Sequence, residues 1–192
     1  MIKDYHTHTG NSDGTKTPQE LIDLAVSKGV SALAVSDHDS IKGLEAAQNY
    51  SKGKLDFLPG VEFTTREEHY PPCGGKYCLH LLGYGFDIHN KELNDALDDR
   101  AARVRKAYDV LIKSLEKYGM FFDYTQVDIS CGIVMQMLDI AAHIEKNYSD
   151  NPNLEKAVED VYNYSSALDS ENFSLKDSID LIHKAGGKAV WA

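Results

Sequence analysis

Residues 3–8, Lys3-Asp4-Tyr5-His6-Thr7-His8, form a short extended run near the start of the chain that ends in two histidines. Successive side chains of a β-strand point to opposite faces, so His6 and His8 are predicted to share one face, about 6–7 Å apart. Two imidazoles at this separation can belong to one metal site. The run therefore predicts a first strand and the beginning of a group of metal ligands.

Up to about residue 90 the sequence alternates short apolar runs with amphipathic segments, a pattern typical of β-α-β units. Strands are predicted at 3–7, 31–36, 55–63 and 78–84, and helices at 18–29 and 41–50. The first helix has a clear start signal, with Thr17 as N-cap, Pro18 in the first turn and Glu20 at the third helical position. We predict an α/β fold with a mainly parallel sheet.

The pattern changes between about residues 90 and 163. Apolar residues recur at helical spacing from Leu93 to Leu115, which predicts a long amphipathic helix that ends near Gly119. Further helices are predicted at 133–146 and 154–164, then one that begins at Ser174 and a strand at 188–192. We therefore divide the chain into residues 1–90, a helical insertion at 91–173, and a return to the first fold at 174–192.

The composition excludes several classes of protein. The 192 residues carry a net charge of −10, which argues against a basic surface for duplex nucleic acid but not against a small anionic substrate beside bound cations. No apolar run is long enough for a membrane helix, and no leader precedes the histidines, so a cytoplasmic location is expected. Three cysteines are too few for a disulfide framework, and Cys73 to Cys78 is interpreted as a Pro/Gly-rich link between strands, not a zinc loop.

Further potential ligands lie at or near the ends of the later apolar runs. His38 and Glu62 follow the second and third runs, His80 lies in the fourth, and Asp13 follows the first strand. A single histidine at a strand end is more often a hydrogen-bonded core residue, and a single Asp before Gly is usually a turn residue. The conjunction of these residues with the histidine pair makes a metal centre the better interpretation.

Several segments together resemble the PHP family, the polymerase and histidinol phosphatase group of metal-dependent phosphoesterases. The matching segments are residues 4–9, 12–14, 17–21, 34–39, 59–63, 80–85 and 185–190. The resemblance implies a distorted (β/α)7 barrel with a helical insertion, and two to three divalent metal ions, manganese, iron or zinc, at one end of the strands.

The resemblance also implies roles for individual residues. The metal ligands would be His6, His8, Asp13, His38, Glu62 and His80. Asp13, His38 and Glu62 would also be catalytic, with Glu62 as a bridging carboxylate, and Asp37 would orient an imidazole. Asp39 is left open as a turn residue, and we interpret His69, His89, His143 and His183 as structural or solvated.

The sequence departs from the family pattern at its C-terminus. In the family, the strand that matches 188–192 continues into a His-Pro whose histidine is a ligand, and an Asp and a His farther on complete the cluster. None of the three occurs in these 192 residues. We therefore expect a barrel that is incomplete at its C-terminus, weakened metal affinity, a 192-residue chain that is inactive by itself in the extreme case, and exposed strand edges that favour a homo-oligomer.

The leading functional hypothesis is hydrolysis of phosphate esters of small nucleotides or short oligonucleotides by a metal-activated hydroxide. The alternatives are a small-metabolite phosphatase of the histidinol-phosphate type and a non-catalytic domain that binds metal only partially. Arg100 and Arg103, near the start of the helical insertion, are candidate phosphate ligands. The alternative for these arginines is a solvated helix face.

Overall fold

The computed structural model describes residues 1–66, 79–129, 136–164 and 168–192. Its elements in chain order are β1 (Ile2–Thr7), α1 (Pro18–Ser27), β2 (Val30–Val35), α2 (Leu44–Ser51), β3 (Asp56–Arg66), β4 (Leu79–Tyr84), α3 (Lys91–Ser114), α4 (Met137–Asn147), α5 (Leu154–Asn163), β5 (Phe173–Ser174), α6 (Leu175–Lys184) and β6 (Lys188–Trp191). The described residues form two compact units. The first contains Met1–Asp98 and Phe173–Ala192, and the second contains 99–129 and 136–172.

The first unit is built on one sheet with the strand order β1-β2-β3-β4-β6, in which β5 pairs with β3. β1, β2 and β3 are parallel, whereas β4 runs antiparallel to both β3 and β6. The sheet is thus mixed, where the sequence pattern predicts a mainly parallel one. The link between β3 and β4, residues 67–78, carries two prolines and two glycines, and a sequence that disfavours a helix favours an antiparallel connection over a parallel crossover.

The first helix begins as its sequence predicts. The Thr17 side chain accepts a hydrogen bond from the Glu20 amide, and the Glu20 carboxylate accepts one from the Thr17 amide. This reciprocal capping satisfies two backbone donors that the helix leaves open at its N-terminus. The helix is followed by Gly29 with φ +77°, a left-handed conformation that glycine adopts without strain. Local sequence therefore sets both ends of α1.

The core of the first unit lies between the helices and one face of the sheet. Ile22 from α1, Leu44 from α2 and Ile182 from α6 are fully buried against Leu33 and Phe63 of the strands. Because alternate residues of a strand face opposite sides, the side chains on the other face of the sheet do not take part in this core. Together, the helices and the curled half-barrel sheet form a mixed α/β fold of the TIM-barrel-like type.

The second unit has a hydrophobic core of its own. It is formed by the later part of α3 with α4 and α5, and its most buried side chains include Leu111, Ile140, Ile144 and Val161. A short 3₁₀ turn follows α3 and stops at Gly119, which has φ +75°, so the predicted end of the long helix is confirmed. Among the described residues, no helix is both long enough and apolar enough to cross a membrane.

Candidate metal centre

Six polar side chains from consecutive strands and loops meet at one edge of the sheet. They are His6 in β1, His8 directly after it, Asp13 in the loop before α1, His38 after β2, Glu62 in β3 and His80 in β4. β1, β2 and β3 are parallel, so residues at their carboxyl ends are brought together. The parallel part of the sheet therefore explains why residues so distant in sequence share one site.

Glu62 lies at the centre of this group and its side chain is only 3% exposed. Its Oε2 atom is 2.7 Å from Nε2 of His6 and 3.2 Å from Nε2 of His8. The same oxygen is 3.6 Å from Nε2 of His38, and Oε1 is 2.7 Å from Nδ1 of His80. One carboxylate thus faces all four imidazoles.

Asp13 closes the group on the side of His8 and His38. Its Oδ1 is 3.2 Å from Nδ1 of His8, and its Oδ2 is 3.7 Å from Nε2 of His38. The rings of His8 and His38 stack with their centroids 4.8 Å apart. Because the Asp13 side chain is 42% exposed, this carboxylate is the more accessible of the two in the group.

A β-bulge changes the direction of β1 at its functional end. Asp4 pairs with Leu33 and Thr7 pairs with Val35, so two residues of β1 lie opposite the single residue Ala34 of β2. The extra residue falls at Tyr5 and His6. Bulges often occur beside active sites, where they redirect a side chain.

Asp37 is buried, and its carboxylate contacts the loop that follows His8. Its carboxylate accepts hydrogen bonds from the Thr9 amide at 2.6 Å, the Thr9 hydroxyl at 2.6 Å and the Ser12 hydroxyl at 2.7 Å. These partners belong to the loop that connects His8 to Asp13. Through these hydrogen bonds Asp37 holds the loop that carries the two candidate ligands His8 and Asp13.

Asp39 adopts a turn conformation, with φ +48°. Its carboxylate accepts a hydrogen bond from the Thr64 amide at 3.0 Å, and its amide donates to the Glu62 carbonyl at 2.9 Å. These bonds tie the chain after His38 to β3. Asp39 therefore helps to hold His38 beside Glu62.

The contacts in the group shift the pKa values of its members. Burial opposes ionisation of Glu62, but hydrogen bonds with three imidazoles hold its pKa well below the usual range. Burial also lowers the pKa of His8, although the Glu62 and Asp13 carboxylates outweigh it and raise that pKa overall. The hydrogen bond to Glu62 raises the pKa of His80, whereas burial lowers the pKa of His38. The group thus combines an ionised carboxylate with imidazoles of different proton affinity.

The donor set fits divalent transition metals. Three overlapping groups each bring their ligand atoms within 4.8 Å of one another: His6 with His8 and Glu62, His8 with Asp13 and His38, and His38 with Glu62 and His80. Imidazole nitrogen and carboxylate oxygen are the usual ligands of zinc, iron and manganese. In addition, Nδ1 of His38 is buried without a hydrogen-bond partner among the described residues, which is unusual for a polar atom.

The structure places the two candidate phosphate ligands in the second unit. Arg100 donates to Asn172 at 2.7 Å, and Arg103 pairs with Asp99 and with Glu171, the latter at 3.0 Å. Of the remaining histidines, His143 packs on Phe122, with ring centroids 4.4 Å apart. His89 and His183 are exposed, and His69 lies outside the described residues, as do Cys73, Cys78 and Cys131.

Sequence reasoning missed three residues that contact the site's supports. Thr9 and Ser12 bind Asp37, and the Tyr84 hydroxyl donates to the Tyr5 carbonyl at 2.5 Å. Burial raises the pKa of Tyr84, so its hydroxyl is a neutral donor at neutral pH. Thr9 and Ser12 lie in the segments that carry the family resemblance, which is a signal for them, but nothing in the local pattern marks the partner of Tyr84.

Comparisons with known proteins agree with this geometry. The 5'-3' exoribonuclease Rnm of Salmonella typhimurium is 26% identical over 215 residues, which cover 100% of this chain and 65% of that protein. The 3',5'-nucleoside bisphosphate phosphatase of Chromobacterium violaceum is 38% identical over 119 residues, which cover 61% of this chain and 39% of that protein. The chain therefore spans about 65% of the length of the exoribonuclease.

A solved structure has the same fold. An amidohydrolase from Chromobacterium violaceum, with bound sulfate and no metal, superposes with a TM-score of 0.72 at 24% identity, covering 100% of this chain and 66% of that one. The model of the PHP domain matches residues 4–183, which include all six residues of the site. The chain therefore belongs to the PHP domain family.

Proposed function

We propose that this chain is a metal-dependent phosphoesterase that hydrolyses phosphate esters of small nucleotides or short oligonucleotides. The observation that carries the proposal is the convergence of four imidazoles and two carboxylates, those of Glu62 and Asp13, at one edge of the sheet. Support also comes from the relatives, whose names describe an exoribonuclease and a nucleoside bisphosphate phosphatase.

The proposed cofactors are two to three divalent ions, manganese, iron or zinc, held by the three overlapping ligand groups around Glu62, Asp13 and His38. When bound, such ions act as Lewis acids that make water a stronger nucleophile at neutral pH and offset negative charge on phosphoryl oxygens. Glu62 contributes to two of the groups, since each of its oxygens faces different imidazoles. Its removal should therefore affect more than one ion.

The residues of the chain have separate tasks in the proposed reaction. Glu62 stays ionised because its neighbours hold its pKa well below the usual range, so it supplies negative charge to bound cations without competition from protons. Burial keeps His38 neutral at neutral pH, which leaves a lone pair free for a ligand bond. Asp13 is the carboxylate with solvent access and can accept a proton from incoming water.

A nucleotide substrate is favoured over histidinol phosphate by the named relatives. Arg100 and Arg103 stay proposed phosphate ligands. Arg103 would have to exchange its pairs with Asp99 and Glu171 for the substrate, and Arg100 its hydrogen bond to Asn172, which costs part of the gain in either case.

The test combines metal analysis with a substrate panel. The 192-residue chain is purified without added metal, its metal content is measured, and hydrolysis of a nucleoside 3',5'-bisphosphate, a 5'-phosphorylated oligoribonucleotide and histidinol phosphate is compared. We expect bound metal and release of phosphate or mononucleotide from the first two substrates. His38→Ala should lose both properties, whereas His89→Ala, at an exposed loop position, should keep them.

Two results would contradict the proposal. Less than one metal ion per chain, unchanged by His38→Ala, would mean that these residues hold no metal. Bound metal with preferential hydrolysis of histidinol phosphate would instead favour the small-metabolite alternative.

A further inference from the structure

Tyr84 connects two strands that are not neighbours in the sheet. Its hydroxyl, at the end of β4, donates to the carbonyl of Tyr5 in β1 at 2.5 Å. β2 and β3 lie between these strands in the sheet order. The two residues are 79 positions apart in sequence. Because two strands separate β1 from β4, the hydroxyl reaches Tyr5 only if the sheet curls.

The acceptor lies at the bulge of β1. Tyr5 and His6 are the two residues that face the single residue Ala34 of β2, so regular strand pairing does not determine the direction of this peptide. A bulge of this kind needs other contacts to select one conformation. The Thr7 hydroxyl provides one, to the Ala34 carbonyl at 2.6 Å, and the Tyr84 hydroxyl provides another on the preceding side.

The ring of Tyr84 is held in place by β3. A Cβ atom at Gly60 would lie 3.2 Å from Cδ1 and Cε1 of the Tyr84 ring and 2.8 Å from the Val35 carbonyl oxygen. The ring therefore packs on the glycine backbone, two residues before Glu62. Its hydroxyl is delivered to β1 by a rigid side chain, which can fix a backbone position more closely than a flexible one.

We propose that Tyr84 is a positioning residue for the metal centre: its hydroxyl holds the β1 bulge so that His6 faces Glu62. The inference rests on the proposed function, because the arrangement that Tyr84 maintains is that of a metal ligand. His6 contacts Oε2 of Glu62 at 2.7 Å, and the peptide that Tyr84 binds immediately precedes His6. Tyr84 thus acts on the metal through His6 and not by direct contact.

The first test is a double-mutant cycle on Mn²⁺ affinity, measured by calorimetry. Tyr84→Phe keeps the ring on Gly60 and removes only the hydroxyl. We expect it to weaken Mn²⁺ binding about tenfold, the lower end of the range for groups that orient a ligand. In a His6→Ala background the same substitution should change the affinity less than about twofold, because the ligand that Tyr84 orients is gone.

A matched control and a metal-free readout complete the test. Tyr50→Phe also removes a tyrosine hydroxyl, one that donates a 2.8 Å hydrogen bond to Asp23. Neither residue belongs to the site, so this variant should leave Mn²⁺ affinity unchanged. In metal-free protein, NMR spectra of the histidine rings should show a shift of the His6 resonances in Tyr84→Phe but not in Tyr50→Phe.

The outcomes separate this inference from the proposed function. If the chain binds none of Mn²⁺, Fe²⁺ and Zn²⁺, the proposed function fails, and the His6 resonances of the metal-free protein alone decide the role of Tyr84. If the chain binds Mn²⁺ and Tyr84→Phe has no effect, or an equal effect with and without His6, the inference is wrong while the proposed function stands. His6 resonances that do not respond to Tyr84→Phe also overturn the inference.

Discussion

Glu62 combines near-complete burial with a negative charge, a combination that is costly unless the charge is paired. Four imidazoles lie within 3.6 Å of its oxygens, and they stabilise the ionised form. The same contacts that hold the carboxylate ionised bring ligand nitrogens to both of its oxygens. At the scale of the residue, burial, charge and function therefore have one structural cause.

Glu62→Gln should abolish this role while nearly preserving the shape of the side chain. An amide lacks the negative charge and offers one oxygen, so we expect metal affinity to fall at least about 100-fold, above the range for groups that only orient ligands. Metal content after dialysis measures the effect. Glu92→Gln is the matched control, because Glu92 is exposed and pairs with Lys184. Equal metal content in both variants would exclude Glu62 as a ligand.

The buried Tyr108 should make the stability of the protein depend on pH, and this effect does not involve the candidate metal centre. Burial raises the pKa of Tyr108 to about 12, whereas an unfolded tyrosine ionises near pH 10. Between these pH values the unfolded chain releases a proton that the folded chain keeps, so the stability falls as the pH rises.

Tyr108→Phe should remove this loss. Relative to wild type, the variant should gain about 1.4 kcal/mol between pH 9 and pH 11, because one pKa unit corresponds to that free energy. Urea unfolding at the two pH values measures the gain. A difference between the proteins that stays constant over this range would show that Tyr108 ionises equally in both states.

The loop between β1 and α1 is a functional element because it connects His8 to Asp13. Asp37 accepts hydrogen bonds from Thr9 and Ser12 of the loop, and Gly14 lies against the His8 carbonyl so closely that a Cβ atom at this position would clash with it. Side-chain and backbone contacts therefore fix both ends of the loop.

Asp37→Asn should loosen this element. The amide lacks the negative charge and keeps one acceptor oxygen, so its NH2 group would face either the Thr9 hydroxyl or the Thr9 amide and Ser12 hydroxyl that now donate to the carboxylate; we expect a loss of about 1–3 kcal/mol of unfolding free energy and weaker metal binding. Chemical denaturation and metal titration measure the two effects. Asp87→Asn is the control, because Asp87 accepts a single bond from the His89 amide at an exposed position. If Asp37→Asn leaves the unfolding free energy and the metal affinity unchanged, the loop does not depend on the Asp37 carboxylate for its conformation.

The described residues contain two hydrophobic cores, and the candidate metal centre belongs to the sheet of the first. A ligand that binds only the folded state adds to its stability by mass action. Metal at 100 times its dissociation constant should therefore stabilise the protein by about 2.7 kcal/mol.

Thermal unfolding with Mn²⁺ and with EDTA tests this linkage. The midpoint should rise with Mn²⁺ and return with EDTA. His80→Ala should reduce the rise, whereas His183→Ala, an exposed position on α6, should not. A rise of the same size in His80→Ala would assign the stabilising ion to a different place.

Sequence patterns were sufficient to predict the type and approximate limits of most helices and strands and to identify the six ligand candidates. Periodicity, the Thr17 cap and the glycine after α1 act over a few residues, so a local pattern suffices to predict them. Short sequence motifs were also sufficient to detect the resemblance to the PHP family.

The contacts between these helices, strands and loops depend on the tertiary structure. The antiparallel direction of β4, the bulge at Tyr5 and His6, the loop partners of Asp37 and the contact of Tyr84 all join residues that are distant in sequence. Their physical basis is the register and curl of the sheet, which bring a hydroxyl or a carboxylate within hydrogen-bond distance of a backbone group. No local propensity encodes such a distance, because it depends on the packing of the whole first unit.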